Sequence, residues 1–303
     1  MRLCAVSIDL DELPNYFAIH GEPSPAALAH VGYDVGLPRA ASFADAHGLP
    51  LTFFAVGDDL ARPANAAALC ALHRRGNAVE NHSRSHRYDL AYAPRAEVLA
   101  EVDEGARAIE AATGERPRGF RAPGYTVNEV VLDALEEVGV AWDSSVFPCP
   151  LYYGAKALAL GLLRLRGLAS KSILDSPRVL VAPRRPYRPA RAFHRRGGRG
   201  LVELPIQVTP RLRLPVIGTS IALAGPDGAR RLARACFGEP VVNVELHLLD
   251  FLDRGDGLEQ LDGQPELALP LSRRLDALAA CFDALRRVGY AFVRLDDAAR
   301  ALA

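Results

Sequence analysis

The stretch "VENHSRSHRYDL", from Val79 to Leu90, joins the end of a predicted β-strand to a pair of histidines. The strand is the segment "NAVEN", and His82 and His86 follow it four residues apart. At this spacing two side chains share one face of a helical turn, close enough to bind one metal ion. The alternative is that one histidine caps a helix while the other is solvated. The pair predicts a metal site only if a third ligand lies nearby.

Strands and helices alternate on both sides of this stretch. The predicted strands contain "LCAVSI", "LTFFAV", "NAVEN", "RGFRAP", "VAWDSS", "LVELPIQV", "PVVNVELHL" and "YAFVRL". Helical patterns lie between most of them, including a long amphipathic helix that starts near Pro94 and ends at Gly114. Because this alternation is typical of parallel sheets, we predict a parallel α/β fold, and seven or eight strands favour a barrel over an open sheet.

Residues 150–200 interrupt the pattern. They are rich in arginine, proline and glycine, and they include "RRPYRP" and "HRRGGRG". We interpret them as a long insertion that holds one short apolar helix. The predicted organisation is therefore a single domain over residues 1–303 with an insertion at about 150–200.

Composition excludes several classes of protein. The 303 residues carry 36 basic and 36 acidic side chains, whereas a nucleic-acid binder would show a basic excess. The five cysteines are scattered, which predicts neither a disulfide framework nor a thiolate zinc site. The chain opens "MRLCAVSIDLDEL", without the apolar run of a signal peptide, and the apolar stretch Ala157–Ala169 is too short to cross a bilayer. We expect a cytoplasmic protein.

Polar residues follow five of the predicted strands where each strand ends. The carboxyl ends of parallel strands meet on one face of a barrel, so we expect these side chains to lie together. The candidate site residues at these ends are Asp9, Asp11, His82, His86, Arg121, Gly124, Tyr125, Asp143, Leu246 and His247.

Two imidazoles, one carboxylate and a water form an open zinc site of the catalytic type. Asp9 and Asp11 would point to opposite sides of an extended strand end, but a loop relaxes that alternation. One of the two can then bind the metal while the other stays free, and the spacing leaves open which is the ligand. A solvated acidic loop is the alternative for both.

The order of the motifs "SIDLDE", "NHSRSH", "RAPGY", "DSS" and "ELH" resembles that of the polysaccharide deacetylases, the NodB-homology group or carbohydrate esterase family 4. The resemblance extends from Leu3 to about Leu295. It implies a NodB-like fold, a distorted (β/α) barrel of about seven strands. It also implies a metal-dependent hydrolase that removes the N-acetyl group from an acetamido sugar. Zinc is the expected metal.

The resemblance also implies a role for each motif residue. Asp11, His82 and His86 would bind the metal, and Asp9 would be the general base. Arg121 would hold Asp9 ionised, and His247 would be the general acid, oriented by Asp143. Backbone N–H groups near Gly124 and Tyr125 would stabilise the oxyanion.

Three departures from the family pattern change these expectations. Leu10 separates two aspartates that are adjacent in many members, and Gly124 separates the motif proline from Tyr125. Glu245 stands two residues before His247, where the family usually has a leucine that lines the acetyl pocket. Either Leu246 or Val244 then lines that pocket, or the acyl site is more polar than usual.

Other functions remain open at this stage. The same groups could hydrolyse another C–N amide, such as a sugar formamide or a cyclic amide. A non-catalytic carbohydrate-binding relative is a further alternative, although a binding module has no need of the complete set of catalytic residues.

The expected substrate is a small or carrier-linked N-acetylated saccharide, either a nucleotide sugar or a lipid-linked saccharide at the inner membrane face. The arginines between Arg184 and Arg199 would bind its phosphates, and Ala157–Ala169 would lie against lipid. In the alternative interpretation this region only covers the barrel. We expect no nucleic acid among the partners.

Overall fold

The computed structural model of the chain describes residues 2–261 and 263–302. In this part of the chain eight strands form one parallel sheet: β1 (Arg2–Asp9), β2 (Leu51–Ala55), β3 (Ala78–Asn81), β4 (Gly119–Phe120), β5 (Trp142–Asp143), β6 (Val202–Glu203), β7 (Val241–His247) and β8 (Tyr290–Val293). The α-helices are α1 (Leu13–His20), α2 (Leu37–His47), α3 (Pro63–Arg74), α4 (Arg95–Thr113), α5 (Glu129–Val138), α6 (Pro150–Leu165), α7 (Gly218–Ala235), α8 (Leu271–Arg287) and α9 (Leu295–Arg300).

The sheet curls into an incomplete barrel. Its order is β6-β5-β4-β3-β2-β1-β7, and β8 pairs with the amino-terminal half of β1. Asn243 of β7 bridges the gap to the segment after β6: its carbonyl accepts from Gln207 N at 2.9 Å, and its amide donates to Leu204 O at 3.0 Å. The predicted distorted barrel is confirmed, with seven strands on its curved path.

Side-chain alternation along β1 and β7 decides what faces the barrel interior. Val6 and Ile8 of β1, and Val244 and Leu246 of β7, belong to the apolar core between the sheet and helices α2, α7 and α8. Successive side chains of a strand point to opposite faces, so Asp9, Glu245 and His247 point into the barrel. The charged groups of the two longest strands therefore meet at the carboxyl end of the sheet.

The base of the barrel is filled by an apolar cluster around Trp142. Its other members are Ala5, Phe54, Val202, Leu204, Leu295 and Ala299. Gly119 of β4 lies directly against the indole ring, so a Cβ atom at that position would stand 2.1 Å from Trp142 Cζ2. Glycine at 119 lets β4 and β5 approach each other, and Arg121 follows two residues later.

The insertion forms one wall of the molecule near the carboxyl ends of the strands. It contains α6 and a short 3-10 helix, Pro177–Val181, and the rest is irregular. It is fastened to α1, since Lys171 N donates to Ala18 O and Ser170 Oγ donates to Ile19 O. None of the helices in residues 2–261 and 263–302 has the length and apolar character needed to cross a membrane.

Several elements differ from the sequence-based expectation. Strands β4, β5 and β6 are only two residues long, because the sheet curves there and loses regular pairing. Helix α7 was not predicted because it contains Gly225 and Pro226, a pair that usually marks a turn; Gly225 breaks the helical path with φ of 63°.

We predict that Gly119→Ala lowers the free energy of unfolding by about 1–3 kcal/mol, because the new methyl group overpacks a buried indole. Gly161→Ala is the matched control: it lies within α6, and a Cβ there meets open space. That change should raise stability by roughly 0.5–1 kcal/mol through its helix preference. Urea unfolding at equilibrium measures both, and equal stabilities would contradict the packing argument.

Candidate active site

A cavity of about 340 Å³ opens at the carboxyl ends of the strands. Asp9, Asp11, His82 and His247 lie on its floor, and four tyrosines surround them: Tyr16, Tyr88, Tyr125 and Tyr152. One wall consists of residues from α6, including Lys156 and Leu160. The cavity thus brings the charged strand ends, an aromatic rim and the insertion into one place.

Asp11, His82 and His86 form a cluster with the donor set of a metal site. Asp11 Oδ1 lies 3.2 Å from His82 Nε2 and 3.0 Å from His86 Nε2, and the three potential ligand atoms lie within 4.8 Å of one another. All three side chains are buried. Two imidazole nitrogens and one carboxylate oxygen at these distances suit a divalent ion such as zinc.

Electrostatics and hydrogen bonding both fit a cation in this cluster. Asp11 Oδ1 and both ring nitrogens of His86 are buried without a hydrogen-bond partner among the described residues. His82 Nδ1 donates to Arg121 O at 2.7 Å, which turns Nε2 toward Asp11. Such an outer hydrogen bond is what orients histidine ligands in metal sites. Burial tends to raise the pKa of Asp11, but His86 and His82 outweigh it and hold that pKa well below its usual value.

A bend, and not a helix, brings the two histidines together. The residues after β3 are irregular, and the backbone is left-handed at Ser83 (φ 67°) and at His86 (φ 55°). The Ser83 hydroxyl accepts from His86 N at 3.1 Å and holds the bend. The predicted helical turn is therefore wrong, although the two imidazoles do meet. Strained backbone of this kind persists where surrounding contacts fix it.

Asp9 is paired with Arg121 beneath the cavity. Arg121 Nη1 donates to Asp9 Oδ1 at 2.6 Å, and its other donors go to the carbonyl and hydroxyl of Ser144. The guanidinium also stacks on the Phe54 ring at 4.1 Å, and it is fully buried. Burial raises the pKa of Asp9, and the charge of Arg121 opposes the rise. Asp9 Oδ2 is directed toward His82, 3.9 Å from Nε2, beside the metal-type cluster.

His247 is paired with Glu245, its neighbour on the same face of β7. Glu245 Oε1 lies 2.8 Å from His247 Nδ1, while Nε2 points into the cavity, 3.4 Å from the Tyr125 hydroxyl. Burial lowers the pKa of His247, but the carboxylates of Glu245, Asp11 and Asp9 outweigh it and raise that pKa well above its usual value. The surrounding carboxylates therefore favour the protonated imidazole, which is the form that a general acid requires.

Asp143 was expected to orient His247, and the structure places it elsewhere. Asp143 Oδ1 accepts from Ser145 Oγ at 2.7 Å, and its carboxyl lies beside that of Glu203, its partner residue on β6. Burial raises the pKa of both acids, so one proton can be shared between them. Glu245 occupies the position expected for Asp143, because side chains two residues apart on a strand share a face.

Leu246 was expected to line the acyl pocket, but it lies on the other face of β7, within the helix-facing core. Val244 lies in the same core, so neither alternative residue reaches the cavity. Tyr125 also differs from expectation: its N–H donates to Ala122 O at 2.9 Å, so it is already used within the turn. The Tyr125 hydroxyl and the backbone of Gly124 border the cavity instead.

The arginines of the insertion do not face the cavity. Arg184 and Arg185 both pair with Glu239, and Arg199 pairs with Asp133 and Glu136. None of the arginines from Arg184 to Arg199 lines the cavity, and three of them are held by carboxylates elsewhere, so the structure does not place the expected phosphate site at the cavity. Lys156 is the cation that α6 brings to the cavity, and its Nζ donates to Gly124 O at 3.1 Å.

Sequence reasoning did not identify Lys156, Tyr16 or Tyr88 as site residues. Tyr88 follows the histidine pair by two residues, and Lys156 is one of only two lysines in the chain. These signals were available, but they do not specify contact with the cavity. Tyr16 lies on α1, a helix whose eight residues carry too weak a pattern to be predicted.

One protein-family model matches part of this chain. Residues 30–142 match the polysaccharide deacetylase family, which confirms the resemblance carried by the motifs. The matched segment contains His82, His86 and Arg121, whereas Asp9, Asp11 and His247 lie outside it. No curated protein matches the chain at a significant level.

Solved structures with a similar fold cover nearly the whole chain. A protein of Mycobacterium smegmatis assigned as a polysaccharide deacetylase is 20% identical, with a TM-score of 0.58, and the match covers 99% of this chain and 90% of that one. PuuE allantoinase is 18% identical, with a TM-score of 0.60 and coverage of 98% and 89%. The Xyl-CE4 domain of a multidomain xylanase from the hindgut metagenome of Trinervitermes trinervoides is 14% identical, with a TM-score of 0.50 and coverage of 98% and 88%. At these identities the likeness establishes the fold.

We predict that Arg121→Met lowers the free energy of unfolding by about 3–5 kcal/mol, because it leaves the buried Asp9 carboxylate without a counter-ion. The double variant Asp9→Asn/Arg121→Met removes both charges and should recover a large part of the loss. Urea unfolding of wild type, both single variants and the double variant gives the coupling energy. Additive losses would contradict a direct pair.

Proposed function

We propose that this chain, in which the polysaccharide deacetylase resemblance is confirmed, is a metal-dependent hydrolase that removes the N-acetyl group from an acetamido sugar. The observation that carries the proposal is a single cavity with three adjoining parts. These are the cluster Asp11, His82 and His86, the pair Asp9–Arg121, and the pair Glu245–His247. Amide hydrolysis needs an electrophilic centre, a base and an acid, and the three parts supply one of each.

Asp11, His82 and His86 would hold the metal, with zinc as the ion that two nitrogens and one oxygen suit best. Such an ion supplies Lewis acidity, which polarises an amide carbonyl and lowers the pKa of water. Asp11 is assigned as the ligand because both imidazoles face its Oδ1. Asp9 is left as the free carboxylate because Arg121 already occupies its Oδ1.

Asp9 is proposed as the general base. Its carboxylate is fixed by Arg121, so it keeps one orientation while it accepts a proton from the attacking water. Burial raises its pKa, and a base whose pKa is closer to neutrality accepts a proton more effectively. Arg121 itself does not border the cavity, so its role is to position Asp9.

His247 is proposed as the general acid that protonates the departing amine. The contact between Glu245 and His247 Nδ1 orients the imidazole ring and stabilises its positive charge, while Nε2 faces the cavity. The Tyr125 hydroxyl beside Nε2 is a donor that can reach the oxygen of a bound acyl group. Glu245 therefore orients the general acid, His247. It stands at the position where the family usually has a leucine that lines the acyl pocket, so that position is polar in this chain.

The substrate is proposed to be a small or carrier-linked saccharide. A cavity of about 340 Å³ lies at the lower end of the range for small-molecule sites, and it leaves no room for a long polymer to be enclosed. The tyrosines around the floor provide flat surfaces for sugar rings. Arg184, Arg185 and Arg199 are paired with carboxylates away from the cavity, so the phosphates of either carrier would have to meet Lys156 in the cavity wall instead.

Hydrolysis of a cyclic amide is the second candidate. The structural likeness to an allantoinase supports it. A product-release screen on acetamido sugars, a formamido sugar and a cyclic amide separates the candidates. Acetate release from an acetamido sugar supports the leading proposal, and turnover of the cyclic amide alone would replace it. No turnover at full metal occupancy would favour a carbohydrate-binding relative.

We predict that His82→Ala loses both bound metal and activity, because it removes a ligand. Asp9→Asn should keep the metal and lose most turnover, on the order of a hundredfold or more, because only the base is removed. His30→Ala is a control that should change neither property. Metal content by mass spectrometry and acetate release measure the two effects; metal loss in Asp9→Asn would reverse the roles of Asp9 and Asp11.

We predict that His247→Ala and Glu245→Gln slow amide hydrolysis much more than hydrolysis of an activated aryl ester. The aryl oxide leaves without a proton, whereas the amine needs one from His247. Both variants should keep the metal, because neither residue belongs to the ligand cluster. The ratio of kcat values for the two substrates is the readout, and an equal loss on both would remove the pair from the acid role.

A further inference from the structure

Helix α6 is apolar on the side that faces away from the protein. None of its residues is buried, yet leucines recur along its outer side at Leu151, Leu158, Leu162 and Leu165, with exposures of 60%, 66%, 46% and 86%. We call these four residues the α6 outer face. A surface helix of a globular protein normally carries polar residues there, and a helix that is apolar on all sides is normally covered. Its 16 residues span about 24 Å, too short to cross a bilayer.

The charged residues around the α6 outer face are all basic. Between Pro150 and Leu174 the chain carries Lys156, Arg164, Arg166 and Lys171 and no acidic residue. In residues 2–261 and 263–302, none of the ion pairs involves Arg164, Arg166 or Lys171, and all three side chains are exposed. An apolar stripe flanked by exposed cations matches the acyl chains and anionic headgroups of a membrane surface.

The apolar surface continues beyond the helix. Leu151 also lines a neighbouring groove of about 790 Å³ with Leu212, Leu214 and Leu232, and the groove includes the cations Arg211 and Arg231. Leu212 is 74% exposed. The apolar area is therefore wider than one helix, and its charges again favour an anionic partner.

A second copy of the chain fits this face less well. A two-fold contact through α6 would bring the cations of one helix against those of the other. A bilayer with anionic lipids instead provides counter-charges and an apolar layer at the same depth.

We propose that the α6 outer face docks on the surface of an anionic lipid bilayer and sets the mouth of the cavity at that surface. The inner side of α6 supplies Ala155, Lys156, Ala159, Leu160 and Leu163 to the cavity wall. The same helix thus meets lipid on one side and substrate on the other. This arrangement suits a saccharide joined to a lipid through an anionic linkage, with Lys156 as the cation available to it. The substrate part rests on the proposed function, whereas the docking does not.

The docking is tested by flotation of the purified protein with two kinds of vesicle. One contains phosphatidylglycerol and phosphatidylcholine in equal parts, and the other contains phosphatidylcholine alone. We expect wild type to bind the anionic vesicles and to be released by high salt. The triple variant Leu158→Gln, Leu162→Gln and Leu165→Gln should bind on the order of tenfold or more weakly. Arg164→Glu/Arg166→Glu should bind the anionic vesicles no better than the neutral ones.

The control variant is Phe237→Gln/Leu302→Gln. These residues are 36% and 39% exposed; Phe237 lies just before β7, at the end of the sheet opposite the cavity. This variant should bind vesicles like wild type. Absence of vesicle binding by wild type, or equal binding by the triple variant, overturns the proposal. A concentration-dependent dimer that the triple variant abolishes, without vesicle binding, would assign the face to a second copy.

Activity on a water-soluble acetamido saccharide separates this proposal from the proposed reaction. Leu158, Leu162 and Leu165 do not line the cavity, so the triple variant should keep wild-type turnover on that substrate. On a lipid-linked saccharide in vesicles, the same variant should show a raised KM with kcat retained. Vesicle binding without any deacetylation would leave the docking in place and reject the reaction, and the reverse result would reject the docking alone.

Discussion

The buried ion pair between Arg121 and Asp9 is the interaction on which the rest of the site depends. Arg121 is fully buried, and its guanidinium joins β1 through Asp9, β5 through Ser144 and β2 through the Phe54 ring. Its own backbone carbonyl accepts from His82 Nδ1 and so turns the histidine toward Asp11. One residue therefore sets both the orientation of the proposed base and that of a proposed metal ligand. Lysine could not replace it, because a single ammonium lacks the planar set of donors that these partners use.

The buried Arg121 is stabilised because each of its three guanidinium nitrogens donates a hydrogen bond, to Asp9 or to Ser144. Its charge faces one carboxylate, and the second pair of acids nearby, Asp143 and Glu203, can stay partly protonated because burial raises both pKa values. A pair that shares a proton adds less negative charge to the interior than two carboxylates would. The barrel therefore holds several acids around Arg121 without a large excess of negative charge.

Most of the fold could be predicted from the sequence because the signals are local. Strands β1 and β7 are apolar runs that end in charged residues. Helix α4 shows apolar residues at helical spacing and is followed by a glycine. The site residues could be predicted as a group, since carboxyl ends of parallel strands must converge. The contacts between them could not, because they depend on backbone detail: His82 and His86 meet through a left-handed bend, and the Tyr125 N–H is used within its own turn. The partner of His247 was open to prediction from strand alternation alone, since Glu245 precedes it by two residues.

The barrel and the insertion have different proposed roles because they are fixed in place to different degrees. The proposed base, acid and metal ligands sit on or directly after strands, which are fixed by the sheet and by Arg121. Helix α6 is held to the loops at the strand ends by few contacts, such as Lys156 Nζ to Gly124 O and the edge-to-face contact of Tyr152 with Tyr125. It can therefore change in sequence without disturbing the pair of Asp9 and Arg121. Segments held in this way are where recognition usually varies on a constant scaffold. The proposed reaction thus depends on the strand ends, and the proposed choice of substrate depends on the wall that α6 presents to the cavity.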